Sequence, residues 1–158
     1  MQTDIKRRVF LKGSVASGAV AAAVGAGLLT PQMVLAEWNK AAFEAKSVDE
    51  AIAGALGASA TEATTAIEIK APDIAENGAV VPVSVSATLD GAESIALLAE
   101  GNASPLVATF NLGPGALPDV STRIKMGKTS DVTAVVKAGG KLYSTSKNVK
   151  VTIGGCGG

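Results

Sequence analysis

Apolar and polar residues alternate along most of the chain from Thr65 to the C-terminal region, which is the period of two expected for β-strands. The segment AVVPVSVSATL, residues 79–89, shows the pattern clearly, because its valines recur at every second position. We predict strands in seven such segments: TAIEIK, AVVPVSVSATL, ESIALLAE, LVATFNL, VSTRIKM, DVTAVVKA and KLYSTSKNVKVTI.

Glycine and proline residues refine these strand predictions. Pro82 lies inside the second segment and predicts an edge strand or a bulge, because proline cannot donate a ladder hydrogen bond. Gly139-Gly140 between two alternating segments predicts a β-hairpin. The last segment is one strand running to Ile153 or, alternatively, two strands that divide near Ser146.

Seven or so short strands spaced by turn residues indicate an antiparallel β-sandwich. We therefore predict a mainly β protein with an immunoglobulin-like sandwich over residues 61–153, short N-terminal helices and a flexible glycine-rich C-terminal arm. A small open barrel is the competing geometry. The antibody signature is absent, because Trp38 lies outside the strand region and there is no cysteine pair.

The segment at residues 37–60 has helical spacing instead. Phe43 belongs to its apolar positions and is expected to pack in the core or an interface. A second helix start is predicted at Ser47, because Ser47-Val48-Asp49-Glu50 is a capping box before an apolar run. Gly57 is the predicted stop.

Residues 1–36 have the character of an export signal. Arg7-Arg8 followed by Phe10-Leu11-Lys12 resembles the twin-arginine motif, with Lys6 in place of the usual serine or threonine. A weakly hydrophobic run from Gly13 to Leu29 follows, and cleavage is expected near Ala36. The predicted location is the periplasm, and an uncleaved membrane anchor is the alternative.

Charge and composition argue against several classes of function. Residues 37–158 carry 10 basic and 13 acidic side chains without a basic stripe, so nucleic-acid binding is not expected. The chain has no histidine, which removes the commonest general base and metal ligand. Its aspartates lack the spacing of a calcium loop, and no glycine-rich nucleotide motif follows a strand. We predict a protein that is not itself an enzyme and holds no cofactor or metal.

The single cysteine lies third from the C-terminal end, in the segment GGCGG. Cys156 is flanked by Gly154, Gly155, Gly157 and Gly158, and glycine samples most of backbone space. The segment is therefore predicted to be a flexible tether that carries one reactive thiol. These glycines bring no charged group to activate the thiol, so activation is expected from a partner enzyme.

A terminal thiol has three other interpretations. An intermolecular disulfide at Cys156 is chemically reasonable for an exported chain with one cysteine. Prenylation does not fit, because only two residues follow the cysteine. A terminal Gly-Gly thiocarboxylate, as in cytosolic sulfur carriers, requires ATP and does not suit an exported protein.

The tail KVTIGGCGG resembles the signature of SoxY, the sulfur-carrier subunit of the bacterial thiosulfate-oxidising (Sox) system. Other segments are also similar to this family: FEAKS, AENGAVVPVSV, STRIKMGKTSDV, GKLY and the twin-arginine leader. The similarity covers residues 38–158, and the tail is its most specific part.

This resemblance implies a role for Cys156 as the site of covalent sulfur attachment. It also implies a heterodimer with SoxZ, a second sandwich protein exported together with SoxY. SoxXA would load thiosulfate onto the thiol, SoxB would release sulfate, and SoxCD, where present, would oxidise the remaining sulfur. We therefore expect a periplasmic sulfur carrier that presents thiosulfonate and persulfide intermediates to partner enzymes. The alternative is an exported scaffold or adhesion sandwich with an incidental thiol.

Overall fold

A computed structural model of the chain describes residues 39–152. The predicted signal segment, Trp38, Ile153 and the GGCGG arm lie outside these residues. Two helices and nine strands follow one another along the described part: α1 Lys40–Glu44, α2 Val48–Leu56, β1 Glu62–Ala63, β2 Ile67–Lys70, β3 Ile74–Ala75, β4 Val81–Ala87, β5 Ala92–Ala99, β6 Leu106–Asn111, β7 Asp119–Ile124, β8 Ser130–Ala138 and β9 Lys141–Val151.

The strands form two sheets. The larger sheet has the order β1-β9-β8-β5-β6, with β3 also paired to β9, and the smaller sheet has the order β2-β4-β7. No strand of residues 39–152 pairs across from one sheet to the other, so the predicted sandwich is confirmed and the small open barrel is wrong. The long strands pair antiparallel, whereas β1 and β3 run parallel to β9.

The sandwich core lies between the two sheets and follows from the alternation in the sequence. In β4, Val81, Val83 and Val85 point inwards and are at most 1% exposed. They meet the inward-facing side chains of β5, β8 and β9: Ile95, Leu97, Ala99, Val132, Ala134, Val136 and Val149. Each buried aliphatic side chain of this size contributes about 1.5–3 kcal/mol relative to an exposed one.

Strand β5 is buried on both faces because the helices cover the outer face of the larger sheet. Ala96 and Leu98 point away from the sandwich core and pack with Ala51 and Ile52 of α2. This arrangement explains why β5 is an uninterrupted apolar run from Ile95 to Ala99, whereas β4, with a solvated outer face, alternates. Phe43 packs partly buried against the same helix-side cluster, as expected for core packing.

Both helices begin at side-chain caps. Asn39 Oδ1 accepts a hydrogen bond from the Ala42 amide at 3.2 Å, and Ser47 Oγ accepts one from the Glu50 amide at 3.3 Å. Gly57 ends α2 with a left-handed φ of 85°, which glycine adopts without steric cost. The predicted start at Ser47 and stop at Gly57 are confirmed.

The prediction from Pro82 of an edge strand or bulge needs correction. Strand β4 is the central strand of the smaller sheet. Its pairing with β2 begins only at Ser84, whereas Pro82 is paired with Arg123 of β7 alone. Proline is therefore tolerated because β2 is too short to reach it, so that position has a neighbour on one side only.

Strand β9 is a single strand of 11 residues. Its pairing with β8 continues without interruption from Lys141 to Val149, so the alternative division near Ser146 is wrong. The preceding turn is the predicted two-residue hairpin, in which Gly139 and Gly140 have φ values of 56° and 77°. The hairpin sets the register that brings the end of β9 to one edge of the sandwich.

Candidate functional site

The predicted site residues Cys156, Gly154, Gly155, Gly157 and Gly158 lie outside the described residues. The structure does describe where the chain leaves the fold, at Val151 and Thr152. We call this the arm base: the end of β9 together with its hydrogen-bonding neighbours Ala75 and Thr129 and its packing neighbour Gly78. It fixes the starting point of the segment that carries the thiol.

Strand β3 holds one side of the arm base. The Lys150 amide donates a hydrogen bond to the Asp73 carbonyl at 3.0 Å, and the Thr152 amide donates one to the Ala75 carbonyl at 3.0 Å. The Lys147 ammonium adds an ion pair with Asp73, at 3.1 Å between Nζ and Oδ1. The backbone is therefore anchored up to Thr152.

A threonine hydroxyl holds the other side. Thr129 Oγ1 accepts a hydrogen bond from the Val151 amide at 2.9 Å and lies 3.4 Å from the Val151 carbonyl oxygen, to which it donates. This hydroxyl satisfies both backbone groups of Val151 where the ladder with β8 has ended. The end of β9 is thus bonded on both sides, through Lys150 and Thr152 on one side and through Val151 on the other.

Gly78 allows three segments to pack closely at the arm base. Its carbonyl accepts a hydrogen bond from the Met126 amide at 2.7 Å. A Cβ atom at position 78 would lie 2.4 Å from the Met126 carbonyl oxygen and 2.7 Å from Val151 Cγ1. Because no real Cβ makes such contacts, only glycine fits here without displacement of β9 or the segment after β7.

Replacing Gly78 by alanine is expected to loosen the arm base. The free energy of unfolding should fall by about 1–3 kcal/mol, the usual cost of overpacking, and the Thr152 amide should exchange with solvent faster. Chemical denaturation and hydrogen exchange measure the two effects. Gly113→Ala is the matched control, because a Cβ there meets no atom within 4 Å, and its stability should change little. Equal stability of the two variants would contradict this packing.

Cys156 lies four residues beyond Thr152. An extended chain spans at most about 3.3–3.6 Å per residue, so the thiol-bearing residue can reach about 13–14 Å from the arm base. That distance is sufficient to enter a cleft of a second protein while β9 stays in its sheet.

The described residues offer little other chemistry. Between residues 39 and 152 no group of three or more histidine, cysteine, aspartate or glutamate side chains is placed to hold a metal ion. Neither α1 nor α2 is long and apolar enough to cross a bilayer.

The Glu62 carboxylate raises the pKa of Lys141, first by a hydrogen bond and then by its charge. The ion pair stabilises the β1–β9 contact at pH values below the ordinary lysine pKa, and this stabilisation is lost as the pH rises through the raised pKa of Lys141. The pair lies at the opposite end of β9 from the arm base.

Sequence reasoning identified the thiol but not its anchor. Strand β3 has only two residues, and the hydroxyl of Thr129 is one among many in the chain. The one available signal is the segment Glu76-Asn77-Gly78, which is typical of a turn and carries no information about packing.

The region of this chain that is similar to known proteins includes Cys156. The family model described as sulfur oxidation protein SoxY matches residues 52–156, so the matched stretch ends at Cys156. Among solved structures, the sulfur carrier protein SoxY from Chlorobium limicola f thiosulfatophilum is 48% identical. That alignment covers 70% of this chain and 96% of that chain, with a TM-score of 0.62.

A second similar structure shares the fold only. The superoxide reductase (neelaredoxin) from Ignicoccus hospitalis is 23% identical, with a TM-score of 0.50 and coverage of 56% of this chain and 82% of that chain. A search of curated proteins gives no significant match. The family match to residues 52–156, which is well over half of the chain, and the 48% identity to a solved sulfur carrier establish that this chain belongs to the SoxY family of sulfur oxidation proteins.

Proposed function

We propose that the chain is a periplasmic covalent sulfur carrier that holds the intermediates of thiosulfate oxidation on Cys156. The observation that supports this role most strongly is the position of the thiol: four residues past the anchored Thr152, within a family match that ends at the cysteine itself. A carrier needs one reactive group, a tether and a firm base. Membership of the sulfur-carrier family supports the same role.

The chemistry proposed for Cys156 has two steps. In the first, the thiolate and the sulfane sulfur of thiosulfate form an S–S bond, and two electrons pass to a haem enzyme of the SoxXA type. The product is a thiosulfonate, R–S–S–SO₃⁻. In the second, water attacks the terminal sulfur, so that sulfate leaves with release of two protons and a persulfide, R–S–S⁻, remains on the cysteine. A SoxB-type hydrolase would catalyse that step.

The carrier itself supplies proximity rather than catalysis. An intermediate on a short tether stays at a high effective concentration near a docked enzyme and is not lost by diffusion. Sulfane sulfur on a thiol also exchanges readily with other thiols, so delivery into a closed site limits side reactions. SoxCD would oxidise the persulfide where it is present. The glycines on both sides of Cys156 suit this use, because they add no bulk to a segment that enters another protein.

The partner and the location belong to the same proposal. We propose a heterodimer with SoxZ, a second sandwich protein. The twin-arginine resemblance at Arg7-Arg8 supports export after folding, which would allow a partner without its own leader to be exported with this chain.

Peptide mass spectrometry tests the carrier role. The protein is incubated with thiosulfate, SoxXA and an electron acceptor. The C-terminal peptide containing Cys156 is then expected to carry one S₂O₃ group in place of the thiol proton. Addition of SoxB should convert this adduct into a persulfide and release sulfate. An unmodified peptide under turnover conditions would favour the alternative scaffold protein, which would bind its partner equally well without a thiol.

A further inference from the structure

A basic depression lies next to the arm base. Six residues line it: Gly101, Asn102, Ala103, Lys125, Gly127 and Lys128. The first three belong to the turn between β5 and β6, and the others follow β7. The depression therefore joins two turns at the end of the sandwich where β9 also ends.

A side-chain bridge holds the two turns together. Asn102 Nδ2 donates to the Lys125 carbonyl at 2.8 Å, and Asn102 Oδ1 accepts from the Gly127 amide at 2.9 Å. The lysine-bearing segment is thus positioned by Asn102 rather than left as an unsupported loop. Two ammonium groups are presented from a defined backbone.

The two lysines of this depression, Lys125 and Lys128, form no direct ion pair with a carboxylate of residues 39–152. The neighbouring carboxylates are otherwise engaged: Glu100 accepts a hydrogen bond from Thr133, and Asp131 accepts one from Asn148. Thr133 and Asp131 lie on the face of β8 opposite to Ser130, because side chains alternate along a strand.

A buried hydroxyl lies behind Gly101, one of the residues that line the depression. Ser130 Oγ is inaccessible and has no hydrogen-bond partner among the described residues. A Cβ atom at Gly101 would lie 2.8 Å from this oxygen and 2.9 Å from Lys128 Cγ, so the hydroxyl is adjacent to both lining residues. Buried polar groups are normally paired, so Ser130 Oγ is an unsatisfied group directly behind the lining of the depression.

The depression is within reach of the thiol. Lys128 directly precedes Thr129, whose hydroxyl binds Val151, and Met126 contacts Gly78 beside the Val151 side chain. The lysine-bearing turn therefore runs alongside the last residues of β9. From Thr152, an arm of four residues extends about 13–14 Å, enough to fold back to Lys128.

We propose that the depression formed by Asn102, Lys125 and Lys128 is an anion subsite for the terminal sulfonate of a thiosulfonate carried on Cys156. This inference rests on the carrier function proposed above. The sulfonate spreads one negative charge over three oxygens, which suits two ammonium groups. Docking there shields the S–S bond from other thiols between partner enzymes. Once the sulfonate has left as sulfate, the group that the subsite binds is gone and the arm is released.

The test loads the thiol without any enzyme. The Cys156 thiolate attacks a central sulfur of tetrathionate, the central S–S bond breaks, and thiosulfate leaves with the electron pair. The protein keeps R–S–S–SO₃⁻, so the exchange needs no oxidant. Amide chemical shifts are recorded before and after loading, and release of the adduct by an uncharged thiol is timed. The variant is Lys125→Gln/Lys128→Gln; the control Lys40→Gln/Lys70→Gln removes the same charge from exposed positions outside the lining of the depression.

Loading is expected to shift the Gly127 and Lys128 amide signals in the natural protein and the control. The double variant at 125 and 128 should release the adduct roughly three- to tenfold faster, the effect of losing two exposed charge contacts. Free thiosulfate at the same concentration should leave these signals unchanged.

Three results would overturn the subsite. They are equal release rates in the variant and the natural protein, no shift at Gly127 and Lys128, or an equal response to free thiosulfate. A Cys156 thiol that takes up no adduct from tetrathionate would instead overturn the carrier function, and the subsite with it.

Discussion

Replacing Cys156 by alanine is expected to abolish thiosulfate-dependent electron release in a reconstituted mixture of the partner enzymes. The chain has a single cysteine, so no second thiol can replace it. Without the S–S bond to the carrier, neither sulfate release nor oxidation of the second sulfur has a substrate. The measurement is reduction of the electron acceptor on addition of thiosulfate.

Binding of the variant to SoxZ, the proposed partner, provides the control for this experiment. Position 156 lies beyond the anchored end of β9, so its substitution should leave folding and heterodimer formation unchanged. Turnover of Cys156→Ala at the natural rate would refute the carrier role and favour the scaffold alternative.

Truncation of Leu97 to alanine should give the largest loss of stability of the substitutions considered. The Leu97 side chain is 0% exposed and projects from β5 into the sandwich core, between the two sheets. Deleting its methyl groups leaves a cavity that rigid sheets fill poorly, so the free energy of unfolding should fall by about 2–5 kcal/mol. Denaturant titration measures the change.

Leu117→Ala makes the same chemical change on the surface and serves as the control. Leu117 is 82% exposed in the loop before β7, so its truncation should alter stability by less than about 0.5 kcal/mol. Similar losses for the two variants would contradict the assignment of Leu97 to the core.

The sandwich was predictable because burial and sequence period agree in its long strands. The valines of β4 alternate with polar side chains because the outer face of the smaller sheet is solvated. The continuous apolar run of β5 could be recognised as a strand, but not its double-sided burial, because that depends on where the helices dock. The capping residues Ser47 and Gly57 were predictable because caps act within one turn of the helix.

Short and tertiary features were not predictable. Strands β1 and β3 have two residues each, too few to display any period, and both exist because β9 offers them an edge. Pro82 suggested an edge strand, but the sequence does not show how far β2 extends beside it. Thr129 and Gly78 gain their roles only once the hairpin has brought Val151 beside them.

In the proposed carrier, the arm base provides a fixed point and the glycine-rich arm provides reach. The hydrogen bonds of Val151 and Thr152 stop the strand from fraying when the arm is pulled into a partner. Four of the five residues from Gly154 onwards are glycines. The arm therefore brings little side-chain volume into the cleft of a partner. A firm base keeps the reach of the thiol constant for each partner enzyme.

Backbone relaxation measured by NMR tests the tether most directly. The account predicts an order parameter near 0.85 for Thr152, as in rigid strands, and values below about 0.6 for Gly155 and Gly157. Uniformly high values through Gly158, in both the free and the loaded protein, would mean that the terminus is clamped against the fold, and would contradict a swinging carrier arm.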